Sequence, residues 1–282
     1  MEIEDRYARL SQVQLHYVAA GVGRPVVLLH GFPDYWRGWD KQIGPLAAAG
    51  HRVIIPDLRG YNLSDKPSGV SAYRLELLAG DVADLIETVG DGLATVVGHD
   101  WGGVIAWHVA EWYPALVDRL VIMNGPHTSS FRKVARRPRQ ILKSSYVGFF
   151  QLPWIPETML SAGDYAVLRS TLRRASPTFT AADLELYVEA AKRSDALRYP
   201  LNYYRAAVRR NPVGAMRPHL IETPTLVMWG DKDAVLDPIL AEPDRRWVPD
   251  VRVEHFDDAG HWVHRDRAED VNAALIDFLG SR

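Results

Sequence analysis

The sequence predicts a doubly wound α/β protein, a mostly parallel sheet with helices on both faces and one helical cap inserted in it. Three observations predict this. Short β-branched apolar runs recur along the chain, helical patterns separate them, and one long stretch contains no such run.

The runs are Val26–Leu29, Arg52–Ile55, Ala94–Val97, Leu120–Met123, Thr225–Trp229 and Val251–Phe256. Most end on Gly, Pro, Asn or Asp. Continuous apolar strands of this kind are buried on both faces, as in a parallel sheet. Between them, about Tyr73 to Val89 carries a stripe of Leu77, Val82, Leu85 and Ile86. A second helix is predicted from about Gly103 to Trp112. A third, from about Ala268 to Leu279, spaces Val271, Leu275, Ile276 and Leu279 along one face.

From about Thr128 to Met216 the strand pattern stops. The segment is helical in spacing, rich in Arg and aromatics, and punctuated by Pro138, Pro153, Pro156, Pro177 and Pro200. The pattern resumes at Thr223-Pro224. The expected organisation is therefore a core in two parts, 1–127 and 217–282, with a cap at 128–216. The basic cluster Arg132, Lys133, Arg136, Arg137 and Arg139 opens the cap and reads as a solvated helix face.

Composition narrows the classes. The chain has 282 residues and is 47% hydrophobic, enough for a substantial core. The net charge of −2 gives no basic field for nucleic acid. The absence of cysteine excludes disulfides and thiolate chemistry. The N-terminal residues are charged, and no apolar run is long enough to span a bilayer. A cytoplasmic protein is the expectation, with monomer and homodimer both open.

Gly98-His99-Asp100-Trp101-Gly102 joins a buried strand to a helix. It has the G-x-D-x-G form of a nucleophile elbow, with aspartate where serine is usual. Small flanking residues permit the tight turn. Asp100 as a plain helix cap is the bland alternative. The strand before it, the glycines after it and the partners below favour a nucleophile. A serine attacking an sp3 carbon would leave an ether that water and histidine cannot readily cleave. A carboxylate leaves an ester, which they can. Epoxides and alkyl halides are the matching electrophiles.

His261, in Asp258-Ala259-Gly260-His261-Trp262, follows the last strand and is the expected base. Of ten histidines, it alone combines a strand end, a preceding glycine and the right chain order. The acid should follow the preceding strand. Asp233 is preferred because it lies further into the loop, and Asp231 is the alternative. The backbone N–H groups of Phe32, after His30-Gly31, and of Trp101 are the expected oxyanion donors.

These residues resemble the epoxide hydrolases of the α/β-hydrolase superfamily. The matching segments are His30–Trp36 (HGFPDYW), Gly98–Gly103 (GHDWGG), Asn124–His127 (NGPH) and Asp258–Trp262 (DAGHW). They span both core parts, and the organisation matches over nearly the whole chain. The resemblance implies an epoxide substrate and two cap tyrosines directed at its oxygen. Tyr146 stands ahead of Phe150-Gln151-Leu152-Pro153 in the first tyrosine position. Tyr204, in Pro200-Leu201-Asn202-Tyr203-Tyr204-Arg205, stands in the second. A phenol, with a reference pKa of about 10, can protonate the developing alkoxide. No metal or organic cofactor is required.

The chain departs from the family at Asp34-Tyr35, where Glu-Ser is commoner, and at Phe149, where a further tyrosine often lies. Neither position is expected to touch the chemistry. A haloalkane dehalogenase shares the nucleophile but commonly has Asn where Phe32 stands. A fluoroacetate dehalogenase commonly has Arg where Trp101 stands. A non-catalytic binding protein on the same fold is the remaining alternative, to which a nucleophile, base, acid and two phenols would be superfluous.

Overall fold

The computed structural model describes residues 2–134, 137–195, 197–209 and 217–280. Arg136 of the basic cluster and the far limit of the predicted cap, at 216, lie outside them. Among the described residues the sheet has eight strands: β1 (Glu4–Arg9), β2 (Gln14–Ala20), β3 (Arg24–Leu29), β4 (His51–Pro56), β5 (Ala94–His99), β6 (Val117–Met123), β7 (Thr225–Gly230) and β8 (Val251–Phe256). Their order is β1-β2-β4-β3-β5-β6-β7-β8. β1 and β2, and β2 and β4, are antiparallel, and the remaining pairs are parallel.

The apolar runs of β3 to β7 are buried on both faces because neighbouring side chains point to opposite sides of the sheet, whereas the expected buried run Val251–Phe256 is only partly buried, since β8 is an edge strand. Val26 and Leu28 of β3, with Val121, Met123, Leu226 and Met228, pack against α1 (Asp40–Ala48) and α10 (Ala268–Gly280). Val27 and Leu29, with Leu120, Ile122, Val227 and Trp229, pack against α2 (Leu75–Val89) and α3 (Trp101–Trp112). Two separate apolar clusters thus sandwich one sheet.

The β1–β2 pair and α1 are additions to the elements read from the sequence. β1 is an edge strand with most of its residues exposed, so it has no apolar run to find. β2 is buried but carries His16 in its middle. Helix α1 contains Pro45, a helix breaker in most contexts.

Between β6 and β7 the described residues are helical: α4 (Thr128–Val134), α5 (Pro138–Lys143), α6 (Ser145–Phe149), α7 (Ile155–Ala175), α8 (Ala181–Arg193) and α9 (Arg198–Arg209). α6 to α9 share a third apolar cluster that includes Leu168, Leu172, Leu184, Val188 and Leu201. The cluster continues downward through Tyr35 and Trp262 of the core.

From β3 the chain order runs one way to β4 and the other way to β5. A crevice opens at the carboxyl ends of strands where such an order reverses. Phe32 follows β3 there and Asp100 follows β5.

Candidate active site

Asp100 occupies the turn between β5 and α3 with φ +52°, a backbone region disfavoured for side-chain-bearing residues. The turn is held at both ends. Asp100 N–H donates to Met123 O at 3.1 Å, and Val104 N–H donates to Asp100 O at 3.0 Å. The glycines are needed for space. A Cβ on Gly98 would lie 2.3 Å from the carbonyl oxygen of Gly102, and one on Gly31 would lie 2.4 Å from the Asp100 Cβ. The turn so formed presents the Asp100 carboxylate to Phe32 and His261.

The carboxylate oxygens have different partners. Phe32 N–H donates to Oδ1 at 2.8 Å. His261 Nε2 lies 3.4 Å from Oδ2. Trp101 is the first residue of α3, so its amide has no partner within the helix.

His261 sits between two carboxylates. Its Nδ1 is 2.6 Å from Asp233 Oδ2. Burial alone would lower its pKa, but Asp233 and Asp100 outweigh burial and raise it to about 10. The same contacts hold Asp100 and Asp233 below the ordinary carboxylate value although burial opposes ionisation of both. Asp231, the alternative acid, faces away and meets His255 Nδ1 at 2.6 Å. His99, also in the elbow, donates from Nε2 to the carbonyl of His261 at 2.9 Å. Burial, then the His261 charge, lowers the His99 pKa to about 4, so it stays neutral.

Asn124, just past β6, is a site residue to which the sequence reading gave no role. Its Nδ2 donates to Asp233 Oδ2 at 2.8 Å, and its Oδ1 accepts from Gly230 N–H at 3.0 Å. It is fully buried with φ +43°. The available signal was an Asn-Gly pair closing a buried strand at the carboxyl edge of the sheet. Asp233 Oδ1 accepts from Val235 and Leu236 N–H at 2.7 and 3.0 Å. The acid is therefore saturated with donors.

Tyr146 on α6 and Tyr204 on α9 come together above this arrangement. Their rings meet edge-on with centroids 5.8 Å apart, and Tyr204 also packs on Phe32 and Trp101. Burial, then a neighbouring negative charge or phenol, raises both phenol pKa values. Asp100 contributes to both shifts, so each phenol stays protonated within reach of its field. The two tyrosine segments are stitched together. Arg205 donates to the carbonyls of Phe150 at 3.0 Å and Leu152 at 2.8 Å, and Gln151 Nε2 donates to Tyr204 O at 3.2 Å. Tyr203, beside them, donates to Arg59 O at 2.8 Å and so ties α9 to the core.

Asp34 is more involved than its sequence position implied. It accepts from Tyr187 of the cap at 2.7 Å, from the Trp262 indole at 3.2 Å and from Tyr35 N–H at 2.8 Å. It links the cap to the residue next to His261. Among the described residues, Asp34, His99 and His264 are the one group spaced like metal ligands. These donors already satisfy the Asp34 carboxylate. Also among the described residues, no helix is long and apolar enough to cross a membrane.

Comparison with known proteins agrees with this fold. Residues 24–268 match the family model for the alpha/beta hydrolase fold. The chain is 40% identical over 282 residues to the AB hydrolase superfamily protein YfhM of Bacillus subtilis, covering 98% of each. It is 37% identical over 286 residues to epoxide hydrolase 4 of Homo sapiens, covering 97% of this chain and 78% of that one. The crystal structure of a Bacillus megaterium epoxide hydrolase in complex with an inhibitor superposes with a TM-score of 0.90 at 28% identity, over 98% of this chain and 100% of that one. The chain belongs to the α/β-hydrolase family, and within it to the group of epoxide-hydrolase relatives that its motifs resemble.

Proposed function

We propose that this enzyme hydrolyses an epoxide to a vicinal diol through an ester on Asp100. One observation carries the reading: a single carboxylate has a backbone donor on one oxygen, the His261 imidazole beside the other, and two phenols across the crevice. The cap is read as residues 128–216, inserted between core parts 1–127 and 217–282, and it supplies both phenols.

The epoxide oxygen is held by Tyr146 and Tyr204. Oδ2 of Asp100 attacks a ring carbon and the C–O bond breaks. A phenol gives its proton to the departing alkoxide, and a hydroxyalkyl ester remains. Phe32 N–H already marks Oδ1 as the oxygen that becomes the ester carbonyl. Ester formation removes the Asp100 charge, one of the two charges that raise the His261 pKa. His261 then yields its proton, which reaches the phenolate through solvent and restores the phenol, and His261 becomes a base held by Asp233. It deprotonates a water that attacks the carbonyl carbon of Asp100. Phe32 and Trp101 N–H groups stabilise the oxyanion. The diol leaves with the original Oδ2 and takes the proton of the new carboxyl group. Asp100 is again a carboxylate beside a protonated His261.

A single turnover in heavy-oxygen water tests this. The label should enter Asp100, and the first diol released should carry almost none. A fully labelled first diol means direct attack of water on the epoxide and removes the covalent route.

A further inference from the structure

The cap helix that leads into Tyr146 also grips the loop that carries Asp233. Lys143, the last residue of α5, donates from Nζ to the carbonyls of Asp233 at 2.7 Å and Leu236 at 2.9 Å. Gln140, nearly one turn earlier and buried, donates to Val235 O at 3.4 Å and accepts from Asp237 N–H at 3.2 Å. Two cap side chains thus satisfy four backbone groups of the segment 233–237.

From the core side the same loop is held by Asn124, and by Asp233 itself folding back on Val235 and Leu236 N–H. That leaves the outer carbonyls facing the cap. An ammonium group bridging two carbonyls makes charge-assisted bonds that a neutral side chain cannot replace. Lys143 is three residues from Tyr146, with only Ser144 and the first residue of α6 between. The cap cannot lift Tyr146 far without drawing Lys143 off the acid loop.

We propose that Lys143, aided by Gln140, is a positioning residue that latches the acid loop to the cap, so that the His261–Asp233 pair is fully ordered only when the phenols are in place. The proposal deepens the reading of the site given above, and rests on it for the assignment of Asp233. It makes the triad conditional on cap closure. With the cap open, the loop keeps its core-side bonds but loses its outer ones, and the imidazole is held less firmly. Ester hydrolysis then waits for the closed state, in which bulk water is kept from the alkoxide.

The His261 Nδ1 proton, in a 2.6 Å bond to Asp233, gives a direct readout that needs no substrate. Its low-field proton resonance and solvent-exchange rate would be recorded for the native enzyme, Lys143→Met, Lys143→Arg and Gln140→Leu, each below its own unfolding transition. The expected result is an exchange rate about tenfold higher in Lys143→Met, a smaller rise in Gln140→Leu, and recovery in Lys143→Arg, as loss of an orienting contact requires. A resonance and exchange rate unchanged in folded Lys143→Met would overturn the latch. So would a loss that Lys143→Arg does not recover. Because the readout is made on resting enzyme, it is independent of the epoxide assignment, which the oxygen-label experiment tests separately.

Discussion

Asp100, His261 and Asp233 stand on loops at the carboxyl ends of parallel strands, whereas Tyr146 and Tyr204 stand on cap helices. The core residues are placed by the sheet register itself. The strands on either side are buried and cannot slip without turning whole apolar faces outward. The cap residues are placed by side-chain contacts between short helices, among them the bonds of Arg205 and Gln151. On the proposed mechanism the core half makes and breaks the ester, on residues that the sheet holds in place. The cap half supplies the protons, from two phenols held across short helices. The comparison teaches that the two half-reactions should be separable by mutation.

The largest expected effect is on the core. Asp100→Asn removes the nucleophile but keeps a residue that tolerates positive φ. Diol formation should fall by about a thousandfold or more. Activity within tenfold of native would break the assignment, and product analysis on a panel of aryl and alkyl epoxides measures it. His261→Gln should act differently. It leaves attack intact and stops the second step, so the ester accumulates. Intact-mass measurement after mixing should show the protein heavier by one epoxide. If no adduct is seen and turnover is also lost, His261 serves the first step instead.

Cap substitutions should sharpen the division. Tyr146→Phe and Tyr204→Phe each leave one phenol, so ester formation should slow by about ten- to a hundredfold and the double variant should slow further. Hydrolysis of a preformed ester should change little. Rapid-quench measurement of the two steps separates these outcomes. Equal slowing of both steps would show that the phenols shape the whole site rather than protonate the alkoxide.

Much of the core half was legible in the sequence, because a nucleophile turn demands small residues and each proposed site loop follows a β-branched or apolar strand. Asp233 and Asp231 differ spatially in the imidazoles they meet, His261 and His255 respectively. The sequence alone could rank them only by loop position. Asn124 shows in the sequence only as an Asn-Gly pair closing a buried strand, and its contacts stay hidden because its partners come from β7 and the loop after it. The cap tyrosines were found by resemblance alone. Nothing in helical spacing distinguishes a phenol facing a crevice from one packed in a core, as Tyr203 beside Tyr204 makes plain. The Lys143 contacts were invisible for the same reason, because they join segments about 90 residues apart to backbone carbonyls that no sequence displays.

The smallest effect lies outside both halves and concerns stability. His16, on the strand missed in the sequence, is fully buried between two carboxylates. Its Nδ1 is 2.6 Å from Asp57 Oδ2 and its Nε2 is 2.8 Å from Asp5 Oδ1. Burial lowers its pKa, but the bonds and charges of Asp57 and Asp5 prevail and raise it above the ordinary 6.5. A folded-state pKa above the unfolded one means that folding favours the proton. The contribution is present in full below about pH 6.5 and is lost as pH rises through the folded value. His16→Gln should therefore lose most stability, relative to native, near pH 6, with the gap narrowing as pH is raised. Urea unfolding across that range measures it. A gap that stays constant would mean that His16 is neutral throughout and that β1 is held by packing and backbone pairing instead.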